Sequence, residues 1–145
     1  MKKKMIVIGV PIFLLAAALI IYINSPSTST IGNEMTDLQE KIGEIQELTI
    51  THHTSPQGNA DIERHVTLEN PEVIQQLLDE AAPTEIKATD APPPEYTYTI
   101  NTVTSESRYL LFVYEEGISI NNSDHYTIEG DNHLIQAIEN GDYEW

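Results

Sequence analysis

Met5 to Ile23 (MIVIGVPIFLLAAALIIYI) runs for 19 residues without a charged or strongly polar side chain. A helix rises about 1.5 Å per residue, so the run covers about 28 Å, close to the hydrocarbon thickness of a bilayer. It is apolar on every side, which suits lipid all round better than the rim of a soluble core. Lys2, Lys3 and Lys4 precede it, and Tyr22 lies near its far end. Basic residues stay on the cytoplasmic side and aromatic rings prefer the interface, so the N-terminus is expected inside and the rest outside. Pro11 is tolerated in a membrane helix. The expected organisation is a cytoplasmic tail (1–4), a transmembrane signal-anchor (5–23), a flexible tether (24–34) and an extracytoplasmic domain (35–145). A competing reading takes Ala16-Ala17-Ala18 as an A-x-A cleavage pattern and makes the protein secreted. Either way the domain is exported.

Charge separates the same two parts. No acid occurs before Glu34, whereas from Asn24 onward 23 acids face only Lys41, Arg64, Lys87 and Arg108, a net of −19. Nucleic-acid binding rests on cations that neutralise phosphates, so no nucleic-acid partner is expected. The chain has no cysteine. That excludes a disulfide scaffold, a thiolate zinc site, a cysteine nucleophile and a lipidated-cysteine anchor.

Beyond the small, polar NSPSTSTIGN stretch (24–33), apolar residues recur with structural periods. Leu38, Ile42 and Ile45 suggest a short helix over 36–45. Residues 47–53 and 61–68 read as strands joined by a loop at 55–59. With Thr51 opposite His65, one face collects Leu48, Ile50, Ile62, Val66 and Leu68. The other collects Thr49, Thr51, His53, Glu63, His65 and Thr67, the alternation of a sheet with one wet face. Asn70 as cap, Pro71 at the first turn and the stripe Val73, Ile74, Leu77, Leu78, Ala81 predict a helix ended by Pro83. Strands follow at 84–89, 96–103, 108–115, 118–121 and 125–129, the first linked to the second by the extended Ala91–Glu95 connection. The other connections are short, as antiparallel neighbours require. Tyr109 to Tyr114 is apolar on both faces and belongs at the centre of the sheet. A last helix, capped near Asp131, carries Leu134, Ile135 and Ile138 and stops at Asn140-Gly141. The fold class is α+β: a largely antiparallel sheet of five to seven strands with two helices on one face, preceded by one transmembrane helix.

The opening strand pair, NPEVIQQLLDEA, EYTYTI with RYLLFVYEEG, and HYTIEGDNHLIQAIEN together resemble the YhfM-like domain of small exported proteins of Bacillus and its relatives. The resemblance spans roughly residues 45 to 140. It implies an envelope-associated domain without an assigned activity; separately, no cofactor is expected. The chain departs from a lipoprotein pattern, since it has no cysteine to lipidate, and the segment 5–23 takes over as anchor.

Three groups of residues invite a chemical reading. His53, Glu63 and His65 are candidate metal ligands, because imidazole and carboxylate on one face suit zinc or copper. The set depends on strand register, and the reading favoured is a solvated polar face. His52 points to the opposite face, while His125 and His133 stand alone. The oxygen-rich runs Asn121–Asp124 and Glu129–Asn132 lack calcium-loop spacing and read as Asx turns and a helix cap. Tyr96, Tyr98, Tyr109, Tyr114 and Tyr126 line either a groove or the core. No nucleophile elbow, zinc-protease, P-loop or dinucleotide motif occurs. The function expected is therefore a non-catalytic, membrane-tethered envelope domain that binds or modulates an envelope partner. The alternatives are a secreted metal-dependent hydrolase and an acidic inhibitor or immunity-type protein.

The charge imbalance carries a prediction. Carboxylates with so few cations among them repel one another, and salt screens that repulsion. The exported domain should melt at a higher temperature in ~0.5 M than in ~0.02 M NaCl, across which the Debye length shrinks severalfold. A melting temperature that is flat or falls in the NaCl series refutes this. A rise confined to calcium points instead to a specific site in 121–132.

Overall fold

The computed structural model describes residues 27–54, 62–91 and 95–145, excluding the side chains of Ile62 and Glu63. The apolar run 5–23, its Ala16–Ala18 pattern, the loop at 55–59 and the three prolines at 92–94 lie outside these residues. No helix among the described residues is long and apolar enough to cross a membrane.

The chain forms β1 (Thr28–Thr30), α1 (Ile31–Ile42), β2 (Ile45–His53), β3 (Ile62–Leu68), α2 (Pro71–Ala81), β4 (Glu85–Thr89), β5 (Tyr98–Thr104), β6 (Arg108–Tyr114), β7 (Gly117–Ile120), β8 (Asp124–Glu129) and α3 (His133–Asn140). The strands build one eight-stranded sheet in the order β1-β4-β8-β7-β6-β5-β2-β3. All neighbours are antiparallel. The class is α+β as expected, with one more strand than the upper expectation and with a third helix.

Alternation decides which side is buried. Leu48 and Ile50 of β2, Ile100 of β5, Leu111 and Val113 of β6, and Ile118 of β7 share one side and are all at most 4% exposed. Against them pack Ile31 and Met35 of α1, Ile74, Leu77 and Ala81 of α2, and Leu134, Ala137 and Ile138 of α3. All three helices therefore lie on one face. A small void of about 20 Å³ sits where they meet the sheet, among Ile31, Met35, Leu77, Ile100 and Leu134. On the same side Thr102 and Tyr109 are cross-strand partners, and neither buried hydroxyl meets hydrogen-bond geometry with a partner. Burial pushes the Tyr109 hydroxyl up to about 12, with the nearby Thr102 hydroxyl opposing.

Helices of 12, 11 and 8 residues are marginal alone, so their ends and their packing must hold them. Asn70 Oδ1 accepts from the Glu72 N–H at 2.9 Å, and Pro71 occupies the first turn of α2. The cap of α3 is Asn132, not Asp131: its Oδ1 accepts from Ile135 N–H while its amide nitrogen donates to the carbonyls of Tyr114 and Glu115, each at 3.0 Å. A shorter side chain cannot span both. The first N–H groups of α1 meet the chain leaving α2: Ile31 donates to the Thr84 carbonyl and Gly32 to the Ala82 carbonyl. Unpaired donors at one helix end are thus satisfied by carbonyls just beyond another. Any side chain at residue 32 would stand 2.9 Å from the Ala82 Cβ, so the approach needs glycine.

The Asn-rich run is a hairpin turn. Asn121 and Asn122 have φ of 50° and 57°, the type I′ pattern that matches strand twist. Asn121 Oδ1 accepts from the Leu110 N–H at 2.9 Å, which uses up an oxygen that a calcium reading would need. At the C-terminus the chain doubles back on Gly141, where a Cβ would stand 2.1 Å from the Tyr143 ring, and Trp145 reaches β3 with its ring 4.6 Å from the Arg64 guanidinium.

The beginning of the domain differs from expectation. The expected helix over 36–45 starts at Ile31 and ends at Ile42, while Ile45 opens β2. Residues 28–34, expected within the tether, form β1 and the first turn of α1. Thr30 caps that helix, its hydroxyl accepting from Asn33 N–H at 3.2 Å, and β1 pairs with β4. A short Ser/Thr run reads as linker until the distant strand that receives it is known. Ile31→Ala should therefore cost about 2–4 kcal/mol, the usual loss for a large aliphatic truncated in a core. Urea denaturation of the full chain and the variant measures it; equal midpoints would return this segment to the tether.

Candidate functional site

Among the described residues, no helix covers the other side of the sheet. Its middle can be followed from strand to strand: Phe112 lies between Ser119 and Thr99, with His125 and Thr89 continuing one way and Thr51 and His65 the other. The next row runs Leu110, Asn101, Thr49, Thr67. A third runs Lys87, Thr127, Gly117, Tyr114. None of these positions carries a carboxylate, in a chain with 23 of them. Glu85 and Glu129 oppose each other at one corner and Glu47 sits near the far end. Most of the acids lie on helices and connections instead, with Glu72, Asp79 and Glu80 exposed along α2.

An aromatic ledge marks one end of this open face. The Tyr96 ring meets Phe112 edge-on at 5.3 Å, Tyr114 at 6.2 Å and the His53 imidazole at 5.1 Å. Tyr96 and Phe112 are half-buried, whereas Tyr114 is buried. Hydroxyls surround the ledge. Thr49 and Thr67 share a hydrogen bond at 3.1 Å, and His53 Nε2 shares one with Thr99 Oγ1 at 2.9 Å. Such a surface offers neutral donors and acceptors beside apolar rings, the equipment of non-covalent recognition.

The backbone does not set His53 in the register the alternation implies. Thr51 does oppose His65, as the alternation predicts, but a bulge between His52 and His53 puts His53 opposite Ile62. His65 is exposed, and His53 is engaged with Thr99 and Tyr96. The Glu63 side chain lies outside the described ones. Among the described residues no group of three His, Asp or Glu stands close enough to hold a metal ion. His52 faces the helix side, its ring 5.0 Å from Tyr98.

His125 is not isolated: its Nδ1 lies 2.7 Å from Ser119 Oγ across the hairpin. Ser119 is 0% exposed, so this is a cross-strand tie and not an accessible nucleophile. His133 opens α3 and lines a shallow groove with Glu80, Gln136 and Asn140. Of the five tyrosines, Tyr98, Tyr109 and Tyr126 belong to the helix side. The Tyr98 hydroxyl donates to Glu139 of α3 and the Tyr126 hydroxyl to Glu34 of α1, each at 3.4 Å. Burial, then the Glu34 and Asp124 charges, raise the Tyr126 hydroxyl above its ordinary value. Thr99, Asn101 and Phe112 escaped the sequence reading. Their signal was the alternation within YTINTV and RYLLFVY, legible only once β5 and β6 are known to be paired.

Comparison with protein-family models, curated proteins and solved structures finds no match.

Burial, and then the adjacent His52, hold the His53 imidazole below its ordinary 6.5. The unfolded chain therefore takes up this proton at higher pH than the folded one. The contribution of His53 is fully present above about pH 6.5 and is lost as pH falls through the unfolded value toward the folded one. His53→Gln keeps a hydrogen-bonding group without the titration. Denaturation midpoints at about pH 7.5 and 5.5 should differ less in the variant than in the parent; an equal difference removes His53 from the pH response.

Proposed function

We propose that this chain is a non-catalytic binding domain of the cell envelope, displayed outside the membrane by residues 5–23, with the open face of its sheet as the contact surface. The observation that supports it most is the distribution of charge. With 23 acids to place, the chain keeps them out of the positions traced along these three rows, the Glu63 side chain lying outside the described ones, and lays hydroxyls, an amide and half-buried rings there. Solubility does not call for that arrangement, because carboxylates on a bare sheet face solubilise it better than Phe112 and Leu110 do. Half-exposed apolar residues grouped with polar neighbours are a feature of interaction surfaces. The reading agrees with the envelope association that the resemblance to YhfM-like domains implies.

The test compares retention of the full chain by isolated cell envelopes after Asn101→Asp, placed in the middle of the face, and after Gln75→Lys on the exposed side of α2. Retention attributable to the domain should fall several-fold for the first and hold for the second. Deleting residues 5–23 should release the chain from the membrane fraction without changing the face-dependent part. Retention equally insensitive to both substitutions would sink the proposal.

A further inference from the structure

We propose that the open face takes an uncharged glycan chain laid across its strands, an inference that rests on that face being the contact surface. Charge narrows the ligand first. An anionic polymer approaching this domain meets a formal charge of −19 over residues 24–145, unscreened within a Debye length of about 8 Å. Lys87 and Arg108 cannot offset it locally, since they lie on different strands near opposite ends of the face. A cationic ligand finds its carboxylates elsewhere, along α2 at Glu72, Asp79 and Glu80. What the face complements is a neutral chain.

The chemistry of the face then selects hydroxyl-rich ligands. Thr51 and Asn101 each carry both a donor and an acceptor without formal charge, and Thr99 and Thr67 add what their hydrogen bonds to His53 and Thr49 leave over. A sugar needs both at every hydroxyl, and a carboxylate or ammonium supplies only one. Strand pairing sets these groups about 4.8 Å apart from one strand to the next, a repeating array that suits a repeating ligand. Beside them the rings of Phe112 and Tyr96 are locked edge-on to each other, leaving half-exposed carbon surface on which the apolar side of a pyranose ring can lie. His53 is fixed among these groups by Thr99 and Tyr96. The array extends over several strands, which favours a polymer over a single monosaccharide.

The experiment mixes the full chain, in a zwitterionic detergent free of sugar head groups, with insoluble chitin and with cellulose. Depletion from solution is measured with and without soluble chitohexaose as competitor. Retention on at least one polymer, reversed by a soluble glycan and unchanged between ~0.05 and ~0.5 M NaCl, is expected, the latter because no ion pair is formed. Phe112→Ser should reduce it about tenfold, a loss of the size typical of a contact-centre ring. Asn101→Asp, at an exposed position where folding is not at risk, should reduce it as well, while Gln75→Lys should not. Circular dichroism establishes that each variant is folded. No retention of the folded parent on either polymer, or retention that all three variants share, overturns the proposal. If envelope retention still depends on Asn101 while both polymers fail, the glycan is wrong and the contact surface stands. If envelope retention is also indifferent to Asn101, both fall.

Discussion

A sheet has two faces, and among the described residues helices cover only one. From that single constraint the rest of the molecule follows. Eight antiparallel strands give a broad surface, and the three helices among the described residues, of 8 to 12 residues each, dry one side of it. The helices are spent together on the side that carries Leu48, Ile50, Ile100, Leu111, Val113 and Ile118. The opposite side must then live in water, yet each strand between two neighbours still favours the β-branched and aromatic residues that pack on a pleated surface. Threonine satisfies both demands, having a branched side chain and a hydroxyl. The open face is accordingly built on threonine, with its apolar residues gathered around β6, the strand that carries Leu110, Phe112 and Tyr114 outward.

Short helices on one face have to be fastened at their ends. The donors that open α1 are received by the chain leaving α2, and both α2 and α3 are capped by an asparagine. Two tyrosine hydroxyls add sideways ties, from β8 to Glu34 of α1 and from β5 to Glu139 of α3. The tie to Glu34 sets that carboxylate against the partly buried Tyr126 phenol, whose ionisation is discouraged first by burial and then by that charge. Each contact is modest, near the size of an ordinary hydrogen bond to a charged group, about 1.5–3 kcal/mol before exposure is discounted. Together they explain how a strongly acidic chain keeps three helices in fixed places with so few cations.

What the sequence makes legible follows from range. Local signals succeed: the alternation that pairs Thr51 with His65, the Asn70-Pro71 start of α2, the apolar density that marks β6 as central. The signals that fail depend on distant partners. Thr28–Thr30 has the composition of a linker and becomes a strand only because β4 receives it. Ile31 and Gly32 look like part of that linker until their amides find Thr84 and Ala82. The bulge at His53 leaves no mark in a sequence that alternates regularly on both sides of it. The open face was half legible. Its threonines on β2 and β3 show in the first hairpin, but a middle row without a carboxylate emerges only when seven strands are set in register.

The order of the strands has a consequence for when this chain can fold. Residues made first, in β1, β2 and β3, take the two margins of the sheet, and residues made late, in β5 to β8, take its middle. The first hairpin can close as soon as it exists, but its inner flank waits for β5, about fifty residues further on. β1 and β4 have nothing to lean on until β8 arrives near the end. A chain delivered N-terminus first thus spends most of its emergence as two separate margins with no centre, holding long-range pairings that close slowly. Its many carboxylates then serve a second purpose: they keep the waiting halves, and neighbouring copies in the same condition, from joining one another before the middle strands come between them.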